Sequence, residues 1–238
     1  MDASTDAVAD WHTRIGDVQA AWREQDQRAV ARDQAVVAGW VGRLAAMRAE
    51  QAASTAAGRW TTGSSTLMGA LWVQHNEVLL TRALAWVLRP EGRHRLGRAP
   101  LDVLAQHLRL EPLPSGAKVR VVTEDTRKDE DDLVGPTRAD LVVYTPLWTM
   151  VIEAKVFAPE QPNQLDRLGH LWADDVAPCF VFLTRGYREP VTAERSAGLW
   201  RAVSWADLAA LLRVALRDRQ EPAGVRDFIE TLEAYHRD

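Results

Sequence analysis

Lysine is nearly missing from this chain. Of its 29 basic side chains only Lys118, Lys128 and Lys155 are lysine, and the rest are arginine. Cysteine is scarcer still. Cys179 stands alone in the apolar run Cys179-Phe180-Val181-Phe182-Leu183, which excludes a disulfide framework within one chain and reads as a core thiol. An excess of positive charge is also missing. A net charge of −4 and a pI near 5.9 exclude a bulk nucleic-acid coat, so any such contact must come from a local patch. No run is long and apolar enough to cross a bilayer, and Met1-Asp2-Ala3-Ser4-Thr5-Asp6 has no apolar signal core, so a cytoplasmic protein is expected. There is no glycine-rich phosphate loop, and His75 and His94 lack partners at zinc-ligand spacing. The ten tryptophans are expected in the core and in helix packing rather than as base-stacking platforms, Trp148 being the least settled.

What is present fits one substantial α/β domain with a helical appendage: 238 residues, 47% of them hydrophobic. Residues 5–57 contain no proline and are rich in Ala, Arg, Gln, Asp and Glu. Val8, Trp11, Ile15, Val18 and Trp22 recur at coiled-coil spacing, and after a polar stretch at 23–34 the pattern resumes at Val37, Trp40, Val41, Leu44 and Met47. Two helices or one long broken helix are expected over 1–57, either packed on the chain's own domain or forming a homodimer or partner interface. Residues 56–65 read as a linker, and 58–238 as the domain. Within it, helices are expected over 67–88, 101–110, 163–174, 205–216 and 225–236, with Ser204 as an N-cap. Strands are expected over 118–122, 140–145, 148–156 and 179–184, and an exposed acidic loop over 124–132. This order predicts a mixed central β-sheet flanked by helices.

The rarity of lysine directs attention to Lys155. It ends the run Val151-Ile152-Glu153-Ala154-Lys155, where a lysine, unlike an arginine, can change its protonation state when buried. Pro146-Leu147 separates this run from Asp140-Leu141-Val142-Val143-Tyr144-Thr145. An even-length hairpin turn there pairs 145 with 148, and therefore sets Asp140 opposite Glu153, with Lys155 on the same face. Two facing carboxylates repel unless a cation lies between them, and oxygen donors with retained water suit Mg²⁺. The competing reading is a solvated ladder in which Lys155 pairs with the acids.

Several stretches together resemble the PD-(D/E)XK nuclease superfamily, with its restriction-endonuclease-like core, and within it a branch of small bacterial nuclease-like proteins. Asn76-Glu77-Val78-Leu79-Leu80, followed by Arg89-Pro90 and Gly92-Arg93-His94-Arg95-Leu96-Gly97, looks like the opening helix and loop. Thr137-Arg138-Ala139-Asp140 and Val151-Ile152-Glu153-Ala154-Lys155 look like the two metal motifs. Glu160-Gln161-Pro162-Asn163-Gln164 looks like the glutamine-bearing helix, and Trp200-Arg201-Ala202-Val203-Ser204-Trp205 like the late strand-to-helix segment. Ala139 stands where the name-giving proline would be. The likeness covers residues 70–215 and leaves the N-terminal helices outside.

The resemblance implies a Mg²⁺-dependent nuclease, with Mn²⁺ as a substitute, and an antiviral defence role. Asp140, Glu153 and Glu77 would ligate the metal, the Ala154 carbonyl would assist, and Lys155 and Gln164 would act on water or phosphate. A surface helix glutamate and a polar helix start remain the plain readings of Glu77 and Gln164. Arg89, Arg93, His94, Arg95 and Arg98 form the candidate DNA contact, against a solvated loop paired with residues 124–132. RNA remains open as the substrate. So does a different class of function, a nuclease-fold regulatory subunit that is silent or is activated by a partner.

Overall fold

A computed structural model describes residues 3–59, 63–128 and 136–236. The chain divides into two compact units, Met1–Thr62 and Gly63–Asp238.

The first unit is a single helix, α1 (Ala3–Ala56), of 54 residues. The break expected at 23–34 does not occur. That stretch is polar but built of good helix formers without proline, and an Arg28–Glu24 ion pair of 2.5 Å spans one turn of it. The helix stops where Gly58 turns left-handed at φ 66°. There the Gly58 and Arg59 amides donate back to the Thr55 and Ser54 carbonyls at 2.9 and 2.8 Å, the Schellman pattern that releases a helix at glycine. Trp11, Ile15, Val18, Trp22, Val37, Trp40, Val41, Leu44 and Met47 are all exposed. The side chain of Val8 lies outside the described residues.

The second unit is built on a five-stranded sheet in the order β1 (Arg120–Arg127), β2 (Thr137–Tyr144), β3 (Thr149–Ala154), β4 (Cys179–Thr184), β5 (Trp200–Ser204). The first three strands are antiparallel neighbours, and β3, β4 and β5 run parallel. β3 and β4 are buried along their whole length, which is why they read as continuous apolar runs. On one face Leu141, Val143, Met150, Ile152, Val181 and Leu183 share a core with side chains of α3 (Glu77–Leu88), α4 (Ala99–His107), α6 (Trp205–Leu216) and α7 (Ala223–Glu233). On the other, Val142, Val151, Phe180 and Phe182 meet Leu165 and Leu168 of α5 (Gln164–Leu171) together with Trp172. Truncating Phe182, which is fully buried, to alanine would cost about 3–5 kcal/mol.

The helix expected over 67–88 is divided. A one-turn α2 (Leu67–Ala70) has its first amides taken by the Asp227 carboxylate, at 2.6 and 3.3 Å. Trp72 then turns left-handed at φ 58°, and the Asn76 side chain starts α3 by accepting from the Leu79 amide at 3.1 Å. At α6 Ser204 forms a full capping box with Asp207. β1 runs further than expected. Asp125 to Arg127 pair with β2 instead of forming a loop, after a left-handed φ of 56° at Glu124, and residues 129–132 of the expected acidic loop lie outside the described residues.

Candidate metal-ion site

The hairpin between β2 and β3 sets the geometry. Tyr144 pairs with Thr149 and Leu141 with Ile152. The turn is closed by the Thr145 amide donating to the Trp148 carbonyl at 3.1 Å, while the Thr145 hydroxyl accepts from the Trp148 amide at 3.0 Å. The ladder ends at Leu141–Ile152; continued one step, its register would set Asp140 opposite Glu153. Asp140 Oδ2 reaches past Glu153 and accepts from the Ala154 amide at 2.9 Å.

Glu153 is fully buried. Its Oε1 accepts from Lys155 Nζ at 2.5 Å and from Gln164 Nε2 at 2.9 Å. Its Oε2 is shut off from solvent and has no partner, and the same is true of Gln164 Oε1. Such buried orphans are costly and call for an occupant. Gln164 is aimed here because Asn163 takes a left-handed φ of 57° just before α5 begins. Lys155 is held by its backbone: its amide donates to the Leu183 carbonyl at 2.8 Å, and its carbonyl accepts from the Trp205 indole at 3.3 Å.

The electrostatics follow from burial and like charge. Burial, and then the Asp140 charge, push the Glu153 carboxyl up to about 8. Burial also raises Asp140, against the pull of the Ala154 amide and of Lys155. Burial works against the Lys155 ammonium, but the Glu153 carboxylate beside it outweighs this and holds its pKa above the ordinary lysine value. The pair is therefore an ammonium clamped to a carboxyl group that lacks enough positive charge around it to ionise readily.

Glu77, the first residue of α3, faces the same region but is committed to backbone. Its Oε1 accepts from the Val156 and Ala158 amides at 3.0 and 3.1 Å. Among the described residues no three His, Cys, Asp or Glu side chains are arranged to hold an ion. Two carboxylates remain, Asp140 and Glu153. They fit Mg²⁺, which takes one or two carboxylates and keeps several waters, and the orphaned Glu153 Oε2 is the oxygen such an ion would take up.

The expected DNA loop looks different. His94 is buried: its Nε2 lies 2.9 Å from the Arg89 carbonyl, its Nδ1 accepts from the Leu96 amide at 3.1 Å, and its ring packs edge-on against Trp86. Arg98 donates to the Pro114 and Leu113 carbonyls at 2.7 and 2.9 Å and pairs with Asp102. Half-buried Arg89 donates to the Val121 carbonyl. Only Arg93 and Arg95 of the five are exposed. Two further arginines went unnoticed in the sequence. Arg138 and Arg82 both pair with Glu124, at 3.0 Å each, and the Arg138 charge acts on Asp140. The period-2 alternation that links Arg138 to Asp140 was the available signal.

No protein-family model, curated protein or solved structure matches this chain.

Proposed function

We propose that the protein is a Mg²⁺-dependent nuclease that hydrolyses phosphodiester bonds of DNA at Asp140, Glu153 and Lys155. One observation carries this reading: Glu153 Oε2 is buried without a partner beside a second carboxylate, while a lysine and a glutamine are fixed on its other oxygen. A solvated charge ladder would not be buried and would leave no orphan. Asp140 and Glu153 would hold the ion, with the Ala154 carbonyl beside them. When bound, Mg²⁺ supplies Lewis acidity at the phosphoryl oxygen and lowers the pKa of a coordinated water.

The chain's own residues do the rest. Lys155 stays protonated beside Glu153, so its task is to orient water and to stabilise charge gathering on the phosphorus oxygens, not to remove a proton. The Gln164 carboxamide holds Glu153 in place and turns its free oxygen toward the attacking water. Glu77 keeps the backbone at Val156 and Ala158 in position. A water oxygen bonds to phosphorus, the bond to the leaving sugar oxygen breaks, that oxygen takes up a proton, and the water's proton passes to solvent. The phosphate contacts narrow to Arg93 and Arg95, with Arg138 acting on Asp140 and Arg82 joined to Arg138 through Glu124.

The test is cleavage of plasmid DNA and of a labelled RNA in Mg²⁺ by the wild type, Asp140→Asn and Lys155→Ala. A loss of at least about a hundredfold in both variants is expected. Equal cleavage by all three proteins would remove the site, and RNA-only cleavage would change the substrate.

A second reading, a nuclease activated on assembly, is favoured by the commitment of Glu77 to backbone amides and by the exposed apolar stripe of α1. The partner proposed is a second copy. The stripe is nearly symmetric about its polar centre at 23–34, so an antiparallel copy lays each apolar half on the other. Light scattering of the wild type and of a Trp22→Asp/Trp40→Asp variant tests this. A dimer lost in the variant together with cleavage supports gating, and a wild-type monomer that cleaves DNA rejects it.

A further inference from the structure

Several arginines of this domain are spent on acceptors. Arg98, Arg127 and Arg213 each hydrogen-bond to carbonyls or carboxylates. Arg188 differs. Its side chain is 44% exposed, it donates no hydrogen bond among the described residues, and it faces Glu160 Oε1 across 3.5 Å. Glu160 is the converse, with a side chain only 4% exposed. Its Oε2 accepts from the Val191 and Thr192 amides and from the Thr192 hydroxyl, at 2.9 Å each, while its Oε1 is shut off from solvent without a hydrogen bond. A buried carboxylate oxygen in that state needs positive charge close by, and Arg188 supplies it. The guanidinium is therefore anchored by charge while its N–H donors stay unspent.

The sheet fixes where this arginine stands. β3 and β4 run parallel, and the loop that carries Arg188 leaves the carboxyl end of β4 beside the carboxyl end of β3. Lys155 lies at that edge, its amide donating to the Leu183 carbonyl. Ligands of open parallel sheets bind outside the carboxyl ends of the strands. The face is fixed as well. Phe182 is the β4 partner of Glu153 and packs with Leu165 and Leu168 on the α5 side, from which Gln164 reaches Glu153. The Arg188 guanidinium lies 5.3 Å from the centre of the Phe182 ring. Glu160 sits on the arc between Lys155 and Gln164, both ends of which close on Glu153 Oε1. Its grip on Val191 and Thr192 ties the loop after β4 to that arc. Arg185, from the same loop, lies instead over the Phe157 and Tyr235 rings, and Tyr235 belongs to the core on the other face.

We infer that Arg188 grips a phosphate of the nucleic-acid backbone at the metal-ion site, and that Glu160 is the positioning residue that holds it there. A guanidinium presents a planar pair of donors that matches two phosphate oxygens. Glu160 keeps the arginine at the sheet edge without consuming those donors. The inference rests on the nuclease reading and adds to it a phosphate contact on the α5 side.

The experiment follows the anisotropy of a short labelled DNA duplex, and of its single strand, bound to the full chain in Ca²⁺ across a salt series, together with cleavage of both in Mg²⁺. The variants are Arg188→Ala, Arg188→Lys and Glu160→Gln, each with its melting temperature. Arg188→Ala should make the slope of log affinity against log salt shallower by about 0.9 for the duplex and about 0.7 for the strand. It should lower kcat/KM on the order of a hundredfold. Arg188→Lys should keep the wild-type slope, because the charge remains, yet stay on the order of tenfold down in kcat/KM, because an ammonium is not a bidentate partner. In Glu160→Gln the carboxamide oxygen can still accept from the loop amides but the charge behind Arg188 is gone, and kcat should fall about tenfold with the slope unchanged. An unchanged slope and unchanged cleavage in Arg188→Ala, with a lowered melting temperature, reduce the pair to a fastening and overturn the inference. A wild type that binds neither probe overturns it too, and wild-type kinetics in Glu160→Gln remove the positioning role. A shallower slope in Arg188→Ala with no cleavage by any of the proteins sinks the nuclease reading and leaves Arg188 as a phosphate contact. Cleavage lost in Lys155→Ala but indifferent to Arg188 does the reverse.

Discussion

The end of β3 and the loop at 89–98 carry similar numbers of charged and polar side chains and meet different fates. In the loop, His94, Arg98 and Arg89 bond to nearby carbonyls. Those side chains are fastenings. At the strand end, Asp140, Glu153, Lys155 and Gln164 face one another, two buried oxygens are left unpartnered, and both carboxyls are pushed upward. Chemistry-bearing residue types in a sequence do not separate scaffold from site. Here the difference is two unpartnered buried acceptors meeting beside a second carboxylate.

The largest expected effect comes from removing the lysine in direct contact with Glu153. Lys155→Met leaves a buried carboxylate without its ammonium and should cost about 3–5 kcal/mol in metal-free urea unfolding. Mg²⁺ should restore part of that loss, because the ion replaces the missing charge, and a loss indifferent to Mg²⁺ breaks the comparison. His94→Ala should cost about 2–3 kcal/mol from two lost hydrogen bonds and a cavity against Trp86. Here Mg²⁺ should restore nothing, and kcat should match the wild type; a raised KM with an intact fold would return His94 to the phosphate contacts.

Glu77→Gln should be milder, at about 1–2 kcal/mol for weakened charge-assisted bonds, with kcat falling about tenfold as the backbone at 156–158 loosens. An unchanged kcat with lowered stability would make Glu77 structural only. The smallest effect is expected at Arg93 and Arg95. The double alanine variant should stay within about 0.5 kcal/mol of the wild type in stability, and the slope of log affinity against log salt should become shallower by roughly 0.7–0.9 per lost phosphate contact. An unchanged slope assigns binding to Arg82 and Arg138 instead.

Much of the site's framework was legible in the sequence because hairpin register is arithmetic. An even turn at Pro146-Leu147 implies the sum that pairs Tyr144 with Thr149, and the observed ladder follows it. Ser204 was legible as a cap for the same reason, a local rule with local partners. Long-range satisfaction was not legible. Nothing near residue 77 in the chain indicates that its carboxylate bonds to amides 79 and 81 positions away, or that Asp227 takes the first amides of α2 and divides the expected helix. At 89–98 composition reports charge, not commitment: it gives no sign that Arg89, His94 and Arg98 engage carbonyls while Arg93 and Arg95 stay exposed. The continuity of α1 was misjudged for the opposite reason: a polar stretch interrupts an apolar stripe without interrupting a helix. Trp72 was expected among the core and helix-packing tryptophans but is 86% exposed, at a left-handed backbone position that has no signature in single-residue patterns.

The most direct test is anomalous scattering from crystals of the full chain soaked in Mn²⁺. The account predicts one peak between Asp140 and Glu153, about 2.1 Å from Glu153 Oε2, with waters completing the shell, and no such peak in Glu153→Gln crystals. Wild-type crystals with no peak there, and Glu153 Oε2 hydrogen-bonded to an ordinary water instead, would contradict it.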